Sequence, residues 1–181
     1  FKGDVCDEYE QFMNAYLGKG AVPVEHIADL HDLGYLPLEI SAVPEGTLVP
    51  IGVPMLTIHN TLPEFFWLTN QLETLMSSVL WTPCTSATTA HGYRKRFEKA
   101  LGDVPACDVR FQGHDFSFRG MSSPESAMTS GAGHLLSFLG TDTIPAIHFV
   151  NKYYFGDNGL VGCSVPATEH SVMCMGGKDA E

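Results

Sequence analysis

Three short segments of the chain combine reactive side chains with glycine or proline. They are residues 114–120 (HDFSFRG), 140–143 (GTDT) and 164–171 (SVPATEHS). Each is predicted to lie where a strand ends or a helix begins. In α/β proteins, free backbone N–H groups and helix dipoles point to such places, so ligands collect there. We therefore expect these segments to carry the chemistry of the protein.

Taken singly, the reactive side chains leave simpler explanations open. Phe116 alternates along a predicted strand and is typical of a packed core residue. Asp142 lies where a helix N-cap is expected. His170 follows a possible cap at Thr168 and could be a buried, hydrogen-bonded imidazole with a structural role. His114-Asp115 could be a metal pair in a metallohydrolase, but no HExxH or other matched ligand spacing is present, so we expect no metal site.

Composition and charge exclude several classes of protein. The chain has 181 residues, of which 44% are apolar and 17% charged, and this excludes a disordered protein. The net charge of −11 argues against a nucleic-acid-binding protein and against one that binds an anionic membrane surface. Residues 1–90 carry two basic and 11 acidic side chains, whereas residues 91–181 carry eight and ten. A site for an anionic substrate is therefore expected in the second half.

Cysteine usage and hydropathy predict a cytoplasmic protein. The five cysteines form an odd set without CxxC pairs, so neither a disulfide framework nor a zinc ribbon is indicated. No apolar run reaches the ~18–20 residues of a membrane span, and the acidic start does not resemble a signal peptide. The first residue is not Met and a helical pattern begins at once, so we expect part of a longer protein.

Hydrophobic periodicity predicts helices and a small antiparallel sheet in the first half. In chain order, these elements are helices over 4–17 and 23–35, a strand over 36–43, return segments at 47–49 and 55–59, a helix from Asn60 that stops before Pro83, and a helix over 90–101.

Strand and helix are predicted to alternate from about residue 109. Val109–Phe118 is expected to be extended, and Ser122-Ser123-Pro124-Glu125 is expected to form a capping box for a helix that reaches Phe138. Residues 141–143 are expected to cap the next helix, and Leu160–Val165 to form a buried strand. This alternation predicts an α/β layer or barrel, preceded by a mixed α+β portion.

The three segments in this order resemble the nicotinate/nicotinamide phosphoribosyltransferase family, in particular its members that join nicotinamide to phosphoribosyl pyrophosphate. Supporting matches are AVPEG (42–46), FWLTN (66–70), Glu73-Thr74, KYY (152–154) and GKD (177–179). The resemblance covers nearly the whole chain. It implies an irregular α/β barrel of the type II phosphoribosyltransferases, with residues 1–83 in an N-terminal α+β domain and 84–181 as the first part of the barrel, the family continuing beyond both ends.

The resemblance also implies roles for individual residues in substrate binding. Phe116 would stack on the pyridine ring, and Arg119 would contact the phosphate-bearing substrate. Asp142 would accept a hydrogen bond from the carboxamide. The base pocket would further be lined by Ser164, Val165 and Ala167.

The family's coupling to ATP implies that His170 becomes phosphorylated, with Glu169 as its helper. Mg²⁺ would accompany phosphoribosyl pyrophosphate, ATP would act as a coupled activator, and a homodimer would have its sites at the interface. Further acidic residues and an arginine of the family lie beyond this chain, so we expect the chain alone to be inactive.

The implied activity is the synthesis of nicotinamide mononucleotide and pyrophosphate in the salvage of NAD. Two alternatives stay open. One is a nicotinate phosphoribosyltransferase, against which Asp142 argues because it would repel a carboxylate substrate. The other is a truncated, non-catalytic homologue that binds nicotinamide.

Overall fold

The computed structural model describes residues 2–102, 107–155 and 159–176. The matching segment at 177–179 therefore lies outside the described residues. The chain divides into two compact units, residues 1–76 and 77–181.

The first unit begins with the two predicted helices, α1 (Lys2–Leu17) and α2 (Glu25–Leu33). Gly18, with a φ of 100°, follows α1, and Gly34, with a φ of 78°, follows α2. Glycine enters this left-handed region without a steric penalty, which is why it ends helices so often. The side chain of His26 in α2 contacts Tyr9 of α1 and Trp67, with ring centroids 5.6 and 4.8 Å away.

The predicted antiparallel sheet is present as β1 (Leu38–Ala42) and β2 (Leu56–Asn60). Ile40 lies opposite Ile58 in the register. The expectation that residues 47–49 form a return strand is wrong, because β2 alone pairs with β1. Proline has no N–H for a strand ladder, and Pro50 and Pro54 lie between residues 47–49 and β2.

A single helix, α3 (Phe66–Leu101), replaces the two helices expected on either side of Pro83. The predicted stop before Pro83 is wrong. An internal proline costs about 3 kcal/mol, and packing of this part of α3 against the next helix offsets that cost. There the Ser86 hydroxyl donates to the carbonyl of Ser130 (2.7 Å), and Arg94 donates to the carbonyl of Ser137 (2.7 Å).

The stretch from 109 to 118 is mostly turns, so its predicted extended conformation is wrong outside β3 (His114–Asp115). Short 3₁₀ helices cover Val109–Phe111 and Ser117–Gly120. Carboxylates capture the backbone N–H groups that a strand would use. Asp108 accepts from the N–H of Arg110 (2.9 Å), and Asp115 accepts from the N–H of Ser117 (2.8 Å).

Helix α4 (Pro124–Leu135) begins one residue later than the predicted capping box and ends before Phe138. Its N-cap is Ser123, whose hydroxyl accepts from the N–H of Ser126 (3.1 Å). Glu125 is thus one position too early to complete a capping box on Ser123.

The next helix, α5 (Ile144–Val150), continues into a π-helical turn at Asn151–Phe155. Thr143 is its N-cap without a side-chain cap bond, and the hydroxyl of Thr141 instead accepts from the N–H of Thr143 (3.0 Å). The explanation of Asp142 as the N-cap is therefore wrong.

The second unit contains a short parallel sheet. β3 pairs with β4 (Gly140–Thr141), His114 lying opposite Gly140, and Cys163 forms a parallel bridge with Gly140 on the other side of β4. The expected buried strand over Leu160–Val165 is wrong, because only this bridge forms and Leu160 is 71% exposed. The last described helix is α6 (His170–Met175), whose N-cap is Glu169 rather than Thr168.

Helices mixed with short parallel segments fit the predicted α/β class. The closed barrel and the domain division at residues 83 and 84 remain predictions. None of the described helices combines the length and the hydropathy needed to cross a membrane.

Candidate functional site

Three predicted site residues each follow directly after a parallel segment. Phe116 follows β3, Asp142 follows β4, and Ser164 follows the bridge residue Cys163. The segments are joined by backbone hydrogen bonds from Asp142 to Asp115 (2.8 Å) and from Thr141 to Cys163 (3.0 Å). Because parallel strands end at the same edge of a sheet, these bonds bring the three side chains to one edge.

The carboxylate of Asp142 is the centre of this edge. Its Oδ1 accepts hydrogen bonds from the hydroxyl of Ser164 and from Nε2 of His114, the latter at 3.1 Å. The Ser164 hydrogen bond, and after it the His114 hydrogen bond, lower the pKa of Asp142 below its ordinary value of 3.8. Asp142 is therefore ionised at neutral pH. Its Oδ2 has no hydrogen-bond partner within the described ranges and is available as an acceptor.

Phe116 presents an aromatic face beside Asp142. The side chain is 61% exposed, so the alternative of a packed core residue is wrong. The imidazole of His114 stacks on it, with ring centroids 4.5 Å apart and an interplanar angle of 29°. Flat aromatic rings prefer such offset partners, and the exposed face of Phe116 can therefore accept a planar heterocycle.

Asp115 is buried beneath this edge and shapes the turn that follows it. Only 8% of Asp115 is exposed. One carboxylate oxygen accepts from the N–H of Ser117, and the other lies against Gly131 of α4 with no hydrogen-bond partner in the described part of the chain. The turn formed in this way carries Phe116 at its start and Arg119 near its end.

Arg119 is exposed, and its positive charge reaches the N-terminal end of α6. The pKa of Glu169 there is lowered, first by the hydroxyl of Ser171, then by the N–H of Val172, and to a smaller degree by the charge of Arg119. The lowered pKa of Glu169 thus comes mainly from hydrogen bonds within its own segment.

His170 is exposed as the first residue of α6, so the alternative of a buried imidazole is wrong. Val165 and Ala167 are also exposed on the segment that leads to it. Within the described ranges, none of these three side chains has a hydrogen bond to Phe116 or Asp142. The structure thus joins Asp142 to Ser164 directly and to Phe116 through His114.

A cavity of about 570 Å³ lies behind the sheet edge, between α3, α4 and the turn after β3. Trp81, Tyr93 and Phe138 supply apolar lining, and His114 and Asp115 supply polar lining.

Next to the cavity, Nε2 of His134 lies 3.0 Å from the carbonyl oxygen of Gly140. Desolvation lowers the pKa of His134 below 6.5. The ring is therefore neutral at pH 7 and donates this hydrogen bond.

His114 is the residue of this site that sequence reasoning did not assign. From the sequence, His114 is a candidate only for a metal pair with Asp115. Among the described residues, no group of three or more His, Cys, Asp or Glu could hold a metal ion. A signal was present, because His114 lies two positions before Phe116 and period-two spacing places both on one face of a strand.

Comparison with known protein families distinguishes two parts of the chain. The sequence model of the nicotinate phosphoribosyltransferase (NAPRTase) family matches residues 111–181, which contain all of the site residues described above. Residues 1–110 are outside this match.

Curated relatives match more of the chain. The nicotinamide phosphoribosyltransferase of Acinetobacter baylyi is 52% identical over 99% of this chain and 36% of its own length. Proteins of the same name from Xanthomonas campestris and Mycoplasma genitalium are 40% and 36% identical over 82% and 74% of the chain. The chain spans about a third of the length of these relatives. Both comparisons thus show that the chain is similar in sequence to members of the nicotinate phosphoribosyltransferase family.

Proposed function

We propose that the protein transfers a phosphoribosyl group from phosphoribosyl pyrophosphate to nicotinamide, as the names of its relatives indicate for them. The observation that carries this proposal is the ionised Asp142 at the edge of the parallel sheet. Its Oδ1 accepts hydrogen bonds from His114 and Ser164, and its Oδ2 is available to a ligand. A carboxylate in this position matches the NH₂ group of a carboxamide. The barrel fold of the family would extend the same sheet edge into a closed site.

The base would bind between Phe116 and Asp142. Its ring would stack on the open face of Phe116, a contact worth about 0.5–1.5 kcal/mol beyond the area it buries. Its carboxamide would donate to Oδ2 of Asp142 in a charge-assisted hydrogen bond. Ser164 holds the carboxylate in place, and Val165 and Ala167 lie on the exposed segment that would line the rest of the pocket.

The reaction would be a displacement at C1 of the ribose. The lone pair of the pyridine nitrogen forms the N–C1 bond, the C1–O bond breaks, and pyrophosphate leaves with that electron pair. No proton transfer is needed, because the pyridine nitrogen carries none. Arg119 would bind phosphate oxygens, for which a guanidinium is well suited. Mg²⁺ would accompany phosphoribosyl pyrophosphate and stabilise the charge that develops on the departing pyrophosphate.

His170 would accept the γ-phosphoryl group of ATP when hydrolysis is coupled to turnover. A ring nitrogen attacks phosphorus, the bond to ADP breaks, and ADP leaves. Its exposure at the start of α6 supports access to a nucleotide, and Glu169 would orient it. The His170→Ala variant is expected to lose acid-labile phosphate labelling and ATP-dependent stimulation while it keeps slow synthesis. Equal labelling of both proteins would assign His170 a structural role.

We further propose a homodimer in the cytoplasm, with sites completed across the interface. Two alternatives are tested together with the main proposal. A nicotinate phosphoribosyltransferase would prefer the acid, against the charge of Asp142. A non-catalytic homologue would bind nicotinamide without turnover.

The decisive experiment compares wild type with Asp142→Ser in the full-length protein. We expect kcat/KM to fall for nicotinamide and to rise for nicotinate, because the carboxylate favours an N–H donor and repels a second carboxylate. Wild type should therefore show the higher kcat/KM for nicotinamide. An unchanged ratio would exclude Asp142 as the selector, and binding of nicotinamide without product would favour the non-catalytic alternative.

A further inference from the structure

The side chain of His114 touches both residues that would recognise the base. Its Nε2 lies 3.1 Å from Oδ1 of Asp142, and its ring stacks on Phe116. The side chain is only 16% exposed. Since an ionised carboxylate can only accept, Nε2 carries the proton and donates a hydrogen bond to Oδ1 of Asp142.

The position of the His114 ring is confined by Gly140. The two residues lie opposite each other in the parallel register. A Cβ atom on Gly140 would lie 2.8 Å from Nδ1 of His114 and 3.1 Å from the carbonyl oxygen of Gly113. A residue with a side chain would therefore displace the ring, and glycine at 140 lets the imidazole lie flat against the neighbouring strand.

We propose that His114 is a positioning residue that aligns Asp142 and Phe116 for the base and thereby sets the preference for nicotinamide over nicotinate. The inference rests on the proposed function. With Oδ1 bonded to His114 and Ser164, Asp142 cannot turn freely, and Oδ2 is the oxygen that faces a ligand. The same imidazole ring also stacks on Phe116. The stacking contact of the base with Phe116 and its hydrogen bond to Asp142 are therefore held in a fixed relative position.

Two variants separate the contacts of His114. His114→Phe keeps an aromatic ring against Phe116 and removes the donor to Asp142, whereas His114→Gln keeps an amide donor near the position of Nε2 and removes the ring. In the full-length protein, we expect His114→Phe to lower the ratio of kcat/KM for nicotinamide to that for nicotinate by about tenfold or more, as for one lost charge-assisted hydrogen bond.

His114→Gln should leave the ratio within about threefold and raise KM for both bases by about three- to tenfold with little change in kcat, as expected for a lost stacking contact. The matched control is His148→Gln, because His148 of α5 is exposed and has no side-chain hydrogen bond in the described ranges. It should behave as wild type.

An unchanged ratio in His114→Phe, or equal losses of ratio in both variants, would overturn the inference. Should His114→Phe fail to fold, His114→Asn replaces it and is compared with His114→Gln. Neither Asn nor Gln has a ring, but only Gln is long enough to reach Asp142. The inference then requires Gln, and not Asn, to preserve the ratio. A wild-type protein without phosphoribosyl transfer to either base would instead refute the proposed function.

Discussion

The two strand pairs in the described part of the chain differ in length, direction and burial, and the candidate site residues lie at the edge of the second pair. β1 and β2 pair antiparallel over five residues each, and most of β1 is exposed. β3 and β4 pair parallel over two residues each, and β4 is fully buried. A loop without a helix connects β1 to β2, whereas the connection between the parallel strands β3 and β4 contains helix α4. The short pair therefore depends on helix packing, and that packing holds the site residues at its edge.

The largest effect should come from overpacking the second unit. In Gly131→Ala, the new Cβ would lie 2.5 Å from Cβ of Ala146 and 3.2 Å from the buried oxygen of Asp115. We expect the free energy of unfolding to fall by about 3 kcal/mol, the upper part of the range for overpacked cores.

The matched control for Gly131→Ala is Gly3→Ala in α1, where the added Cβ meets nothing within 4 Å. It should be neutral or stabilising by up to about 1 kcal/mol. Denaturant titration of the full-length protein measures both, and equal effects would contradict the difference in packing between the two regions.

A smaller loss is expected at Asp115, which holds the turn before Arg119. Asp115→Ala removes the acceptor for the N–H of Ser117 and should cost about 2 kcal/mol of folding free energy, together with weaker nicotinamide binding. Asp115→Asn retains an acceptor oxygen and should lose less of both. Calorimetric titration with nicotinamide gives the binding change, and comparable losses in the two variants would rule out the turn as the cause.

Lowering the pH should weaken the hydrogen bonds of Asp142 at the edge of the parallel pair and reduce the stability that they contribute. The pKa of Asp142 is lowered in the folded protein, so its contribution to stability is complete above the ordinary value of 3.8 and is lost as pH falls through the lowered pKa. Carboxyl NMR titration should therefore give Asp142 a pKa below 3.8. Ser164→Ala should raise that pKa more than His114→Phe, which removes the imidazole donor, because the Ser164 hydrogen bond is the larger cause. A reversed order would reassign the cause to the imidazole.

The smallest effect is expected in the antiparallel pair. Ile40 is 54% exposed and lies opposite Ile58. Ile40→Thr keeps the β-branch, so the free energy of unfolding should change by no more than about 1 kcal/mol, the range of cross-strand pair effects. Nicotinamide affinity should stay as in wild type. A marked loss of affinity in this variant would show that the exposed hairpin contributes to the site.

Local patterns in the sequence predicted much of the fold. Gly18 and Gly34 end the two helices that periodicity predicted, and β1 and β2 form the expected sheet. The predicted alternation of strand and helix after residue 109 indicated the α/β class, and the three motifs indicated the family resemblance. These features depend on neighbours within a few residues along the chain, where helix period, strand alternation and left-handed glycine act directly.

Only the tertiary structure decided which side chains meet and which stay exposed. The sequence could place Asp142 equally well as a helix cap, and the parallel register instead brought it to Ser164, 22 residues later, and to His114, 28 residues earlier. Pro83 signalled the end of a helix, yet packing against α4 carried α3 through it. Contacts at such separation depend on strand register and helix packing, which no local pattern encodes. The sequence therefore named Phe116, Asp142 and Ser164 as candidates, whereas the contacts that join them through His114 came from the fold.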